Sequence, residues 1–172
     1  MRQALQVLAR YRVTLGFVVG VVCFALARPT WTSFMYGAAI AIPGELLRLW
    51  AAGHIDKGRE ITRSGPYRFV RHPLYLGSTI MALGFALASG RIVVVVLVMT
   101  YMIATLAAAM LTEERALDEK FQGAYSAYRE GRAEAVERPF TWARVVANRE
   151  YRGAAGLVVG LSLLMALLVW RQ

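Results

Sequence analysis

Residues 74–112 read LYLGSTIMALGFALASGRIVVVVLVMTYMIATLAAAMLT, with Arg91 as their only charge. Two apolar runs, Leu74–Ser89 and Ile92–Thr112, meet at Ser89-Gly90-Arg91. A link that short joins two helices only as an antiparallel hairpin. The sequence just before Leu74 is therefore expected to lie beside the sequence just after Met110. Outward from the hairpin come three more apolar segments, Val13–Ala27, Trp31–Ala52 and Ala154–Trp170. Each is near the ~20 residues that cross a hydrocarbon core. The shorter ones span if Tyr11, Trp31, Tyr75 and Trp170 sit in the interfaces, or if the bilayer thins locally. The expectation is an all-α, polytopic membrane protein of about five transmembrane helices, a single domain over residues 1–172.

Composition agrees with that solvent. Hydrophobic residues make up 58% of the 172, and the mean hydropathy is +0.46, too apolar for an ordinary soluble domain. Cys23 is the single cysteine, so neither a disulfide framework nor a cysteine metal site is available, and it is read as packing. The net charge of +9 is broken up between apolar segments. It forms no stripe with interleaved aromatics of the kind nucleic acid requires, and suits anionic lipid headgroups. No obligate protein partner is evident.

The same charges fix orientation. With the N-terminus in the cytoplasm, Arg2, Arg10 and Arg12 lie there, with five basic residues in 53–72 and eight in 113–153, sixteen of the twenty in all. Arg28, Arg91 and Arg171 fall on the other side and Arg48 within the second span, a bias that sets topology. The first segment ends in Ala25-Leu26-Ala27, like a cleavable signal. Because four more apolar segments follow, it is read as an uncleaved anchor.

Two stretches at the cytoplasmic ends carry polar chemistry. The first runs from Ser64-Gly65-Pro66-Tyr67 to Arg71-His72-Pro73-Leu74-Tyr75-Leu76-Gly77. Gly65-Pro66 marks a turn and Pro73 suits the first turn of a helix, which puts His72 near its N-cap. The N–H groups there, beside Arg71 and His72, favour an anion. The plain alternative is a loop with Arg71 at lipid phosphate and His72 capping the helix. The second stretch is Thr112-Glu113-Glu114-Arg115, where the helix dipole opposes two carboxylates unless a cation or hydroxyl is close. Phe121, Tyr125 and Tyr128 then recur at helical spacing, as one amphipathic face.

Within the second span, Glu45 and Arg48 lie three apart. An unpaired charge near the bilayer centre costs roughly 2.5–3.5 kcal/mol on insertion scales, so they either pair with each other or bind a substrate headgroup. Pro43 is expected to kink this helix and open a lateral route from lipid.

The ordered set of Gly65-Pro66-Tyr67, Arg71-His72-Pro73-Leu74-Tyr75-Leu76-Gly77, an apolar hairpin, Glu113-Glu114 and Phe121-x-x-x-Tyr125-x-x-Tyr128 resembles the isoprenylcysteine carboxyl methyltransferase family and its phospholipid methyltransferase relatives, in their bacterial integral membrane form. Gly44 to Ala51 resembles the stretch preceding that core. The resemblance covers about half the chain. It implies methyl transfer from S-adenosylmethionine to a lipophilic acceptor, an isoprenylcysteine-type carboxylate or a lipid heteroatom, with no metal. It also implies a catalytic core at about 44–130, followed by a C-terminal amphipathic segment and last helix over 131–172.

Tyr67, Arg71, His72, Pro73, Leu74, Tyr75, Gly77, Glu113 and Glu114 would hold the cofactor. Glu113, Glu114 and Arg48 would serve catalysis, and Glu45, Arg48 and Arg129 the substrate. The implied location is a bacterial inner (plasma) membrane with the active site facing the cytoplasm. Two alternatives stay open, a membrane sterol or enone reductase using NADPH and a non-catalytic membrane protein.

One departure bears on the acceptor. In the isoprenylcysteine enzymes an arginine one turn before the glutamates is associated with the substrate carboxylate, whereas this chain reads Leu106-Ala107-Ala108-Ala109-Met110. Arg48, Arg68 or Arg129 would have to replace it, and an arginine introduced at Ala109 is expected to be tolerated if that position faces the cavity. A charge-assisted contact contributes about 1.5–3 kcal/mol. Radiolabelled methyl transfer should therefore give weak or no turnover of farnesylated cysteine analogues, with better activity on another membrane-dissolved acceptor. Efficient turnover lost on Arg48→Ala would instead make Arg48 the clamp.

Overall fold

A computed structural model describes the backbone of residues 2–56, 62–120 and 137–171, and the side chains of residue 11 and of 14–56, 62–110 and 137–171. Among the described residues it is all-helical. Six α-helices follow one another: α1 (Arg2–Leu26), α2 (Trp31–Ala52), α3 (Pro73–Ala88), α4 (Ile92–Lys120), α5 (Trp142–Ala147) and α6 (Tyr151–Trp170), with a 3-10 turn at Gly65–Arg68. The apolar segments read from sequence coincide with α2 and fall within a few residues of α3. The others come out longer, because helix propensity and intrahelical bonding do not stop where apolarity does. Thus α4 continues through Glu113 and Glu114 to Lys120, and α1 begins on its charged N-terminal side.

Two helical stretches, Ile92–Met110 and Tyr151–Trp170, are long and apolar enough to cross a membrane, while Thr14–Leu26 and Pro73–Ala88 are apolar but shorter. α2 has the length but carries Glu45 and Arg48. The aromatic face expected at Phe121, Tyr125 and Tyr128 lies outside the described residues.

The tightest packing joins α2 to α3. Gly37, Ala41 and Gly44 on α2 recur at spacings of four and three, and they meet Gly77, Gly84 and Ala88 on α3 backbone to backbone. A methyl group on Gly77 would stand 2.6 Å from the Gly44 carbonyl oxygen, and one on Gly84 would stand 2.6 Å from that of Gly37. Small residues at such spacing let helices approach where lipid removes any hydrophobic drive between them. α3 turns into α4 at Gly90, whose φ of +68° suits glycine.

Caps fix the helix ends. Thr30 and Ser33 form a reciprocal capping box at the start of α2. α2 runs unbroken through Pro43. Its far end is closed by the residues around α5. Asn148 Nδ2 donates to the Ala52 and Ile55 carbonyls, both at 2.9 Å. Thr141 N–H and Arg144 Nη1 both donate to the Gly53 carbonyl. The last carbonyls of a helix otherwise lack partners, so α5 serves as an external cap for α2.

Gly84→Ala should lower the thermal midpoint of the detergent-solubilised protein, at a cost of about 1–3 kcal/mol for forcing two backbones apart. Gly20→Ala, whose added methyl would meet nothing within 4 Å, should leave the midpoint unchanged or raise it. Equal midpoints for the two variants would refute close α2–α3 contact.

Candidate active site

The site grows from the turn that precedes α3. Gly65 has φ +55°, and its Cα lies against the His54 ring. Pro66 and Tyr67 are buried, and the Tyr67 N–H donates to the Ser64 carbonyl at 3.2 Å. Ser64 Oγ accepts the Arg138 N–H, and Arg68 meets Glu137 at 3.2 Å on the exposed surface. His54 packs between Trp50 and Phe140, at 6.2 and 5.7 Å between centroids. The turn is thus clamped between the end of α2 and residues 137–140.

α3 starts directly after this turn. His72 occupies the N-cap position and Pro73 the first helical turn, as expected, but the His72 side chain does not cap the helix. Its ring stands 5.7 Å from that of Tyr75, and both residues are half-buried. The plain reading with His72 as capping residue is therefore incorrect. Instead, the side chain turns toward Tyr75. Arg71 is exposed and Leu74 half-buried, whereas Gly77 faces α2 against the Arg48 side chain and belongs to the helix interface.

α3 spans 16 residues and α4 29 from the shared hairpin. Glu113 is the 22nd residue of α4, so at 1.5 Å per residue its backbone lies about 9 Å, between one and two helical turns, beyond the level at which α3 starts. The side chains of Glu113 and Glu114 lie outside the described residues, as does all of Arg129. Ala108 and Ala109, where the isoprenylcysteine enzymes would have an arginine nearby, are buried at 0% and 3% exposure. Ala109 is thus buried, and an arginine there would have to displace its neighbours.

Beside Gly77 lies a charged knot that the sequence only partly disclosed. Arg48 Nε lies 3.1 Å from Glu45 and Nη2 lies 2.5 Å from Glu150. Its Nη1 donates to Ser78 Oγ, which in turn donates to the Leu74 carbonyl at 2.8 Å. Glu45 and Glu150 are 3% and 4% exposed. A methyl group added at Gly153 would sit 3.0 Å from Glu45 Oε1, so glycine there admits the carboxylate. Glu45 and Arg48 do pair, but Glu150 and Ser78 share the guanidinium and extend the pair across α2, α3 and α6. Glu150 escaped notice because Arg149 and Arg152 flank it, the look of a solvated loop. Its place immediately ahead of an apolar run, at the N-terminus of α6, is the signal that could have found it.

Residues 15–124, more than half of the chain, match the phospholipid methyltransferase family. The chain belongs to that family. The cobalt-zinc-cadmium resistance protein CzcN of Cupriavidus metallidurans is 33% identical over 122 residues. That alignment covers 64% of this chain and 55% of the relative, so the chain spans little more than half of that protein's length. No solved structure matches the chain. The family match contains α3, the hairpin and Glu113-Glu114, and leaves Glu150 outside. Among the described residues, no three His, Cys, Asp or Glu side chains gather as candidate metal ligands.

Removing one partner of a buried ion cluster leaves uncompensated charge, at a cost of about 3–5 kcal/mol. Arg48→Ala should accordingly destabilise the purified protein by that order in thermal unfolding, and adding Glu150→Gln should restore part of the loss. A midpoint unchanged by Arg48→Ala would mean that the carboxylates are held by something else.

Proposed function

We propose that this phospholipid methyltransferase family member is a polytopic membrane enzyme of five spans. In this reading it transfers a methyl group from S-adenosylmethionine, bound at the cytoplasmic ends of α3 and α4, to a lipophilic acceptor arriving through the bilayer. The observation that carries the reading is the N-terminus of α3. It is uncapped by His72 and set beside Arg71 and the buried Tyr67, and α4 runs on past the start of α3 through two successive glutamates.

That donor set fits the cofactor. The α3 N-terminus with Arg71 and His72 suits a carboxylate, Glu113 and Glu114 suit an ammonium and ribose hydroxyls, and the ring faces of Tyr67 and Tyr75 suit a sulfonium. When bound, S-adenosylmethionine supplies an electrophilic methyl group. The protein's own contribution is then alignment and exclusion of water. Arg48 acts as a positioning residue in this reading. Through Ser78 it holds the Leu74 carbonyl, and so the first turn of α3, in place. Glu113 or Glu114 takes the proton of an acceptor that must lose one before attack. A carboxylate acceptor needs no base.

Isothermal titration of the detergent-solubilised protein with S-adenosylhomocysteine and with NADPH tests the cofactor directly. Binding of the first and not the second is expected. Glu114→Gln and His72→Ala should each weaken it by about 1.5–3 kcal/mol, the scale of a charge-assisted hydrogen bond. Folded variants that bind as tightly as the wild type would move the site elsewhere, and binding of NADPH alone would make the protein a reductase.

A further inference from the structure

The three basic residues left out of the cytoplasmic majority gather at one place, at the Ser89 end of the bundle. The Arg28 N–H donates to the Ser89 carbonyl at 2.8 Å, and the Arg91 N–H to Ser89 Oγ at 3.3 Å. The Arg171 side chain donates to the Ala27 carbonyl. All three residues are exposed. Every acidic residue in the described parts of the chain belongs to the opposite half of the bundle or to the segments beyond it. Among the described residues this end therefore carries three arginines and no Asp or Glu.

Ala27 and Ser89 are also the last lining residues of an apolar groove of about 740 Å³, a volume inside the roughly 300–1,000 Å³ of ordinary ligand pockets. Its walls come from α1, α3, α4 and α6, and it follows α1 from Gly16 to Ala27, about 15 Å at the helical rise. Glycines keep it open. A side chain added at Gly20 or Gly156 would meet nothing within 4 Å.

We infer that this groove is a binding site for one acyl chain of an anionic phospholipid whose phosphate sits at Arg28, Arg91 and Arg171. A long apolar slot ending in clustered guanidinium groups matches an amphiphile with an anionic head, because arginine pairs with phosphate through paired, charge-assisted hydrogen bonds. A zwitterionic lipid would bring its own cation to the same three arginines and gain less. The inference rests on the chain spanning a bilayer. It does not rest on methyl transfer, since the groove opens at the end of the bundle away from His72 and Glu113. In the orientation proposed above, the lipid belongs to the leaflet facing away from the cytoplasm.

Lipid retention measures this. The full chain is reconstituted into nanodiscs of equal phosphatidylglycerol and phosphatidylcholine, then repurified in mild detergent, and the retained lipid is quantified by mass spectrometry. Phosphatidylglycerol should be retained over phosphatidylcholine by about tenfold or more, the effect of one good ionic contact. The double variant Arg28→Ala, Arg91→Ala should bring the two lipids near parity, and Gly156→Leu should lower retention of both. S-adenosylhomocysteine titration should be unchanged in all variants, so a failure here is separable from a failure of the methyltransferase reading. Should Gly156→Leu not fold, Gly20→Leu fills the groove from α1. Equal retention of both lipids by the wild type would overturn the proposal, as would undiminished preference in the arginine variant or undiminished retention in a folded groove-filled variant. So would displacement of the lipid by glycerol phosphate at matched concentration, which would leave a headgroup site with no use for the groove.

Discussion

The guanidinium of Arg48 fastens three helices. It reaches Glu45 on its own helix, Glu150 at the start of α6 and Ser78 on α3, so the relative positions of α2, α3 and α6 converge on one side chain. Lysine would not serve equally, because a compact ammonium cannot face three directions with planar donors at fixed angles. The glycines around the knot follow from it. Gly77 and Gly153 stand against Arg48 and Glu45, where any side chain would compete for the volume the ions occupy. Gly44, one residue before Glu45, lets α2 come close enough to α3 for Arg48 to reach Ser78. The backbone contact and the ion cluster thus share the same stretch of α2 and α3.

Two carboxylates around one guanidinium form an arrangement with an excess of negative charge. Desolvating ions is costly, and such clusters are seldom a net source of stability against apolar residues of equal volume. Their value lies in specifying one arrangement. Apolar helices in a bilayer slide and rotate at little cost, because lipid tails replace helix side chains almost evenly. A buried charge with partners on two other helices removes that freedom, as breaking register would strand an ion. The candidate cofactor turn benefits directly, since the Ser78–Leu74 bond passes the fixed register to the N-terminal turn of α3.

Much of this architecture was legible. The hairpin followed from three linking residues, the helical segments from apolar runs, and the start of α3 from Pro73 after His72. The position of His72 ahead of the helix was legible, but its side-chain contact with Tyr75 was not. What stayed hidden was long-range pairing. Glu150 is 102 residues from Arg48 in sequence, and no periodicity connects them. α5 was equally invisible, since six residues carry too little pattern. Its purpose, closing the α2 C-terminus through Asn148, depends on a chain return that the sequence does not encode locally. The buried state of Ala109 was missed for the same reason: an alanine run reads alike whether it lines a cavity or fills an interface.

The two ends of the bundle divide their polar groups unequally, and helix packing accounts for the division. α2 and α3 are locked along their length by glycine and alanine, and α6 is pinned to them at the Glu150 end by ions. Towards Ser89, α6 meets α2 and α3 through Leu164 and Leu168 packed with Phe34 and Ala88, while α1 approaches α3 and α4 through Cys23 against Ala86 and Val94. Between those two small clusters, α6 and α1 do not close on one another, and Gly20 and Gly156 contribute no side chains to fill the gap. An apolar void of that size in protein forfeits dispersion contacts on both walls, so a bundle that leaves it open has either accepted that loss or relies on hydrocarbon from outside. In a bilayer the second course is open at no cost in synthesis, because acyl chains of matching polarity surround the groove. The three arginines at its mouth then decide which headgroup those chains carry.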